Sequence, residues 1–210
     1  AHAQFLCARY LLSSGIPTTQ MLRLLRSTDP DHARRVVPQL RGVAAWLASQ
    51  KREFFEAFVE SDPEVLLTLG GDSVPPERKD ALALSYLTHV EKRLVNPVRP
   101  TIRPRFDGLV HPGIGAALGA VIRDRTRAPL TRRTAVEMAL AAKAEELVDV
   151  VLPIATDPSE DRYLRHEAIE LVAGLGSPEE RAVLVPLLNL GREDDPDDEF
   201  RGLALWTVWP

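Results

Sequence analysis

The sequence predicts an all-α fold, an α-solenoid of antiparallel helix pairs stacked side by side. Three observations carry that prediction. Apolar residues recur at helical spacing through most of the chain. Strand signals are scarce: there is no sustained alternation and no Asn-Gly or Asp-Gly hairpin turn. One word also returns, since residues 40–46 read LRGVAAW and residues 200–206 read FRGLALW, in a chain with three tryptophans. With 45% of its 210 residues hydrophobic, the chain can bury a sizeable core.

In chain order, the pattern places helices near 2–13, 18–27, 31–49, 51–59, 63–70, 76–94, 112–124, 130–142, 144–156, 160–173, 178–190 and 197–208. Residues 38–50 put Leu40, Val43, Ala44 and Leu47 on one face, and residues 160–175 do so with Leu164, Ala168, Leu171, Val172 and Leu175. The starts share a form. Asp29-Pro30, Asp62-Pro63, Asp157-Pro158, Ser177-Pro178 and Asp195-Pro196 each set a capping residue before a proline. Proline's missing N–H suits the first helical position. Ser177 with Glu180 adds a capping box. Asp157 with Glu160, and Asp195 with Asp198, add acids where the helix dipole favours them. Gly174 and Gly191 mark expected ends.

Residues 96–112, NPVRPTIRPRFDGLVHP, interrupt the series, because four prolines forbid a helix. The chain therefore reads as an N-terminal helical array (1–95), a Pro/Arg-rich connecting loop (96–111) and a more regular set of helical repeats (112–210). A surface loop is favoured over a domain boundary at 96–111, so the array is expected to be continuous.

The repeated word extends to a register. Arg41, Arg132, Arg165 and Arg201 are each followed three residues later by alanine, at Ala44, Ala135, Ala168 and Ala204. Arg78 with Ala81 is a fainter copy. Spacing of this kind is what two-helix repeats give. Alanine lets helices approach closely, and arginine lays its stem on apolar surface while its guanidinium reaches a carboxylate or water. Gly42 precedes Trp46 by four positions, as Gly202 precedes Trp206. Glycine there leaves room for the indole at a cost of about 1 kcal/mol in helix propensity, so the two tryptophans are expected in equivalent seats.

Chemistry is sparse by comparison. No phosphate-loop or dinucleotide motif exists; Leu69-Gly70-Gly71-Asp72-Ser73 lacks the lysine and reads as a helix end followed by a new start. No two of the five histidines share ligand spacing, and His166-Glu167 fails as H-E-x-x-H because residue 170 is Glu. Glu167 and Glu170 are expected on a solvated face, and the acidic run 193–199 in a loop feeding a helix. No catalytic residue, cofactor or metal is predicted. The single Cys7 excludes an internal disulfide and points to the cytoplasm. No apolar run is long enough to span a bilayer. The apolar stretches at both ends suggest a segment of a longer protein.

The most suggestive charge lies in residues 99–133. Arg99, Arg103, Arg105, Arg123, Arg125, Arg127, Arg132 and Arg133 stand against Asp107 and Asp124, giving +6 in a chain of net −4. Arginine forks suit carboxylates and phosphates. Internal pairing with acidic helices is the simplest use of these residues. An acidic partner, either another protein surface or a neighbouring domain of the same chain, is the recognition reading. Nucleic acid is disfavoured by net charge and by the absence of interleaved aromatics.

PQLRGVAAWLASQKREFFEAFVESDPEVLL (38–67), DPSEDRYLRHEAIELVAGLG (157–176) and DDEFRGLALWTVWP (197–210) together resemble the HEAT-like helical stretches of bacterial NACHT-type signal-transduction ATPases of the STAND class. The resemblance implies a non-catalytic scaffold or sensor segment that mediates protein recognition or intramolecular control, in a setting such as defence against phage. It carries no catalytic residue onto this chain, since the ATP-binding motifs are absent. The rival readings are a stand-alone HEAT-repeat adaptor and a HEAT-like DNA glycosylase; the latter needs a basic concave face that net charge −4 argues against.

Overall fold

Helix-forming runs punctuated by proline, aspartate and glycine should give many short helices joined by tight turns, and they do. The computed structural model describes residues 2–27, 35–68, 74–98 and 106–209. Among these it has no β-strand, only a lone antiparallel bridge between Arg26 and Val36. The α-helices are α1 (His2–Ser13), α2 (Thr18–Leu25), α3 (Arg41–Gln50), α4 (Arg52–Ser61), α5 (Pro63–Leu66), α6 (Pro76–Glu91), α7 (Ile114–Arg123), α8 (Pro129–Ala141), α9 (Val148–Thr156), α10 (Arg162–Leu175), α11 (Pro178–Ala182) and α12 (Glu199–Val208). The Leu69–Ser73 turn and the Asp29-Pro30 start lie outside the described residues.

The chain forms two compact units, Ala1–His89 with Val95–Gly108, and Val90–Leu94 with Leu109–Pro210. In the first, α3 is the central helix: α1, α4 and α5 pack on it, and α2 packs on α4. Phe54, Phe58, Leu47, Leu82 and Tyr86 are fully buried there. The Tyr86 ring meets Phe106 edge-on at 5.5 Å.

In the second unit the helices pair. α7 packs on α8, α9 packs on α10, and the Val185–Asn189 turn following α11 packs on α12. The second helix of each pair also meets the next, α8 against α10 and α10 against α12. Ala135, Ala168 and Ala204, the small residues of the repeat register, are completely buried. That is the close approach that alanine permits.

Several boundaries differ from the sequence expectation, each for an identifiable reason. Of the helix expected over 31–49, residues 31–34 lie outside the described residues, Pro38–Leu40 form a 3-10 turn and the α-helix begins at Arg41. Ahead of it, Val36 bridges to Arg26 and donates its N–H to Asp62 Oδ2 at 3.0 Å, which holds the chain extended. Asp62 is thus a long-range tie rather than a side-chain cap. Asp161, not Asp157, caps α10, accepting from Tyr163 N and Leu164 N at 3.0 Å each. α10 runs through Gly174 and stops at Gly176. α12 begins at Glu199 rather than 197, with buried Asp195 accepting the Glu199 and Arg201 N–H groups. The span 178–190 breaks after α11, and Pro186 lies in the 3-10 turn that follows. The Ser177–Glu180 capping box forms as expected.

Candidate recognition surface

The loops between paired helices repeat in detail. After α7, Asp124 Oδ1 accepts from Thr126 N at 3.0 Å and Thr126 Oγ1 at 2.6 Å. After α9, thirty-three residues on, Asp157 Oδ1 accepts from Ser159 N at 2.9 Å and Ser159 Oγ at 2.6 Å. These hydroxyl and amide donors, aided by Arg127 and Arg125 respectively, hold both carboxyls below the usual range.

The arginines repeat as well. Arg132 Nε donates to Ile122 O at 2.8 Å, and Arg165 Nε donates to Ala155 O at 3.4 Å. Each thereby clips the second helix of a pair to the carbonyl end of the first, where the helix dipole favours a cation.

From these clips the guanidiniums reach the next pair. Arg132 forks onto Glu160, Nη1 to Oε2 at 2.7 Å and Nη2 to Oε1 at 3.1 Å. Both side chains are nearly sealed, at 5% and 8% exposure. The hydrogen bonds from Arg132 outweigh burial and keep the Glu160 carboxyl below its ordinary range. Arg125, 68% exposed, reaches Asp157 at 3.1 Å and Glu160 at 3.2 Å. Arg133 donates to Glu167 Oε1 from Nε at 3.0 Å and Nη2 at 2.8 Å, and lies over the Tyr163 ring. Arg127 pairs with Asp124 at 3.4 Å. Arg123 is exposed and makes no ion pair among the described residues. Arg99, Arg103 and Arg105 lie outside the described residues. The donors of Arg125, Arg132 and Arg133 are therefore directed to carboxylates of this same chain, Asp157, Glu160 and Glu167.

Sequence reasoning missed the acceptors. Glu167 is buried and Glu170 half-buried, which corrects the expected solvated face. The His166, Glu167 and Glu170 ligand atoms lie within 4.8 Å of one another. Burial first, then the Glu167 charge, pushes the Glu170 carboxyl up. Arg133 already neutralises Glu167, and His166 Nε2 stands 3.4 Å from Glu199. Sequence reasoning also missed the Arg162 fork onto Glu199, which ties α10 to α12 with donor distances of 3.0 and 2.8 Å. The detectable signal was a recurrent arginine followed by a glutamate 28 to 37 residues later.

The two tryptophans do not occupy equivalent seats. Trp46 is half-buried, with the Phe5 ring edge-on at 5.1 Å. Trp206 is 67% exposed.

No known protein family, curated protein or solved structure matches the chain. Among the described residues no helix is long and apolar enough to cross a membrane.

Proposed function

We propose that the chain is a non-catalytic helical-repeat scaffold or sensor, its paired helices forming a HEAT-like α-solenoid within a NACHT/STAND-type ATPase, where it serves protein recognition or intramolecular control. The observation that carries the reading is the thirty-three-residue recurrence of the Asp turn, the arginine clip and the buried alanine between α7–α8 and α9–α10. Units that repeat at this level of detail stack through their neighbours and present extended surface for shallow contacts. The charged groups support the same reading. Arg132, Arg133 and Arg162 engage carboxylates of the following helix pair rather than converging on a cleft with a nucleophile. Recognition then falls to exposed faces and to arginines not held inside the stack, Arg123 among them.

The test uses the natural polypeptide that carries residues 1–210. Deleting those residues should change its stimulated ATP hydrolysis by about tenfold or more, the size of an ordinary coupling between sites. An unchanged rate, or a polypeptide without ATP hydrolysis, refutes the switch reading; the second outcome returns the chain to the adaptor class.

A further inference from the structure

Arg132 and Arg165 hold the same place in successive repeats, and each clips to a carbonyl at the end of the preceding helix. Their outer ends differ. Arg132 forks onto Glu160, 28 residues on. The residue at the same separation from Arg165 is Glu193, which is exposed in the turn before α12 and makes no ion pair among the described residues. Arg165 is 6% exposed, and no carboxylate pairs with it among the described residues either. Its contacts are the 3.4 Å bond from Nε to Ala155 O and the Phe200 ring, centred 4.4 Å from the guanidinium carbon. Burial pulls the guanidinium below its ordinary value, and the Asp157, Asp194 and Asp195 charges offset that only in part. A buried cation is costly until an acceptor reaches its terminal donors.

Arg165 lines a cavity of about 430 Å³ enclosed by the end of α9, the start of α10, the Val185–Asn189 turn and α12. Leu187, Leu190 and Phe200 supply apolar wall, and Glu160, Glu193 and Asp194 supply carboxylates. Glu160 is engaged by Arg132 and Arg125, and Arg162, also on the wall, by Glu199. The remaining charges are one sealed cation, Arg165, and two exposed carboxylates, Glu193 and Asp194. A simple anion would meet Arg165 and be repelled by the two acids; a simple cation would meet the acids and be repelled by Arg165. A molecule that carries both charges side by side satisfies all three groups.

We propose that this cavity binds a free amino acid with an apolar side chain. Its carboxylate forks onto Arg165 as Glu160 does onto Arg132, its ammonium faces Glu193 and Asp194, and its side chain lies against Leu187 and Leu190. The volume falls within the range of small-molecule sites. The site goes beyond the scaffold reading and needs no ATP hydrolysis elsewhere in the polypeptide, so either can fail alone.

Leucine, methionine and phenylalanine are titrated calorimetrically into the intact chain, each beside its amide, which lacks the carboxylate, and its deaminated acid, which lacks the ammonium (leucinamide and isocaproate for leucine). At least one amino acid should bind with a Kd of about 1 mM or tighter, and its two controls about tenfold more weakly or not at all. Arg165→Met should abolish binding. It strands no paired carboxylate, so circular dichroism should show it folded. The double variant Glu193→Gln with Asp194→Asn, at exposed positions, should weaken the amino acid about tenfold and bring the deaminated acid level with it. No binding by any of the three, or an amide that binds as well as its amino acid, overturns the proposal. So does tighter binding by the double variant, because Glu193 would then be the partner of Arg165 in solution.

Discussion

Replacing Glu160 by Gln isolates the link between successive helix pairs. The substitution keeps the volume and one carbonyl acceptor but removes the charge facing Arg132. That guanidinium remains sealed, held only by Ile122 O at 2.8 Å and a neutral amide. Breaking a buried pair by removing one partner costs about 3–5 kcal/mol. The surviving bond to Ile122 argues for the lower end, about 3 kcal/mol. For a chain of this size that is a fall in melting temperature of about 6–12 °C. Calorimetry and urea titration both read it. Two comparisons sharpen the reasoning. Arg125→Ala, which removes an exposed partner of the same carboxylate, should cost under about 1 kcal/mol. The double variant Arg132→Met with Glu160→Leu should recover most of the loss, because an apolar pair avoids the desolvation penalty. A loss below about 1 kcal/mol in Glu160→Gln would show that the fork is not desolvated and would refute the argument.

Further outcomes follow from the same physics. The Glu160 carboxyl is held below its ordinary range, so its contribution is present above the unfolded-state value and is lost as pH falls through the folded one; the stability gap between wild type and Glu160→Gln should narrow on acidification in urea titrations. Burial pushes the Asp62 and Glu64 carboxyls up, so their effect has the opposite sign: stability is highest with them protonated and declines as pH rises through their folded values. Asp62→Asn should therefore raise the urea midpoint at neutral pH, with the gain vanishing near about pH 4. Gly176→Ala should cost about 1–3 kcal/mol in chemical denaturation, because its Cβ would sit 2.6 Å from the Val172 carbonyl oxygen. Gly202→Ala, with open space around it, should stabilise the isolated chain by about 1 kcal/mol. Ser177→Ala removes the capping-box hydroxyl and should cost about 1 kcal/mol by the same assay.

The amino-acid sequence by itself determined what depends on neighbours a few residues away. Helical spacing gives the all-helical fold, Ser177 and Glu180 give the cap they form, and the arginine–alanine register marks positions that turn out buried at Ala44, Ala135, Ala168 and Ala204. Tertiary structure decided the rest. Residues 35–37, expected in the helix that became α3, are extended because the tie that holds Val36 comes from Asp62, 26 residues away. Internal pairing of Arg132 and Arg133 was expected, but which carboxylates they meet, and the burial of Glu167, were not, since the partners lie 28 to 34 residues off. Near-identical words at α3 and α12 ended in different surroundings because one has α1 across from Gly42 and Trp46, while Gly202 and Trp206 face solvent. Propensity and capping act through bonds within one turn, which a short stretch of sequence encodes. Burial of a charge or an indole is a property of the opposing surface, which only the packed helices supply.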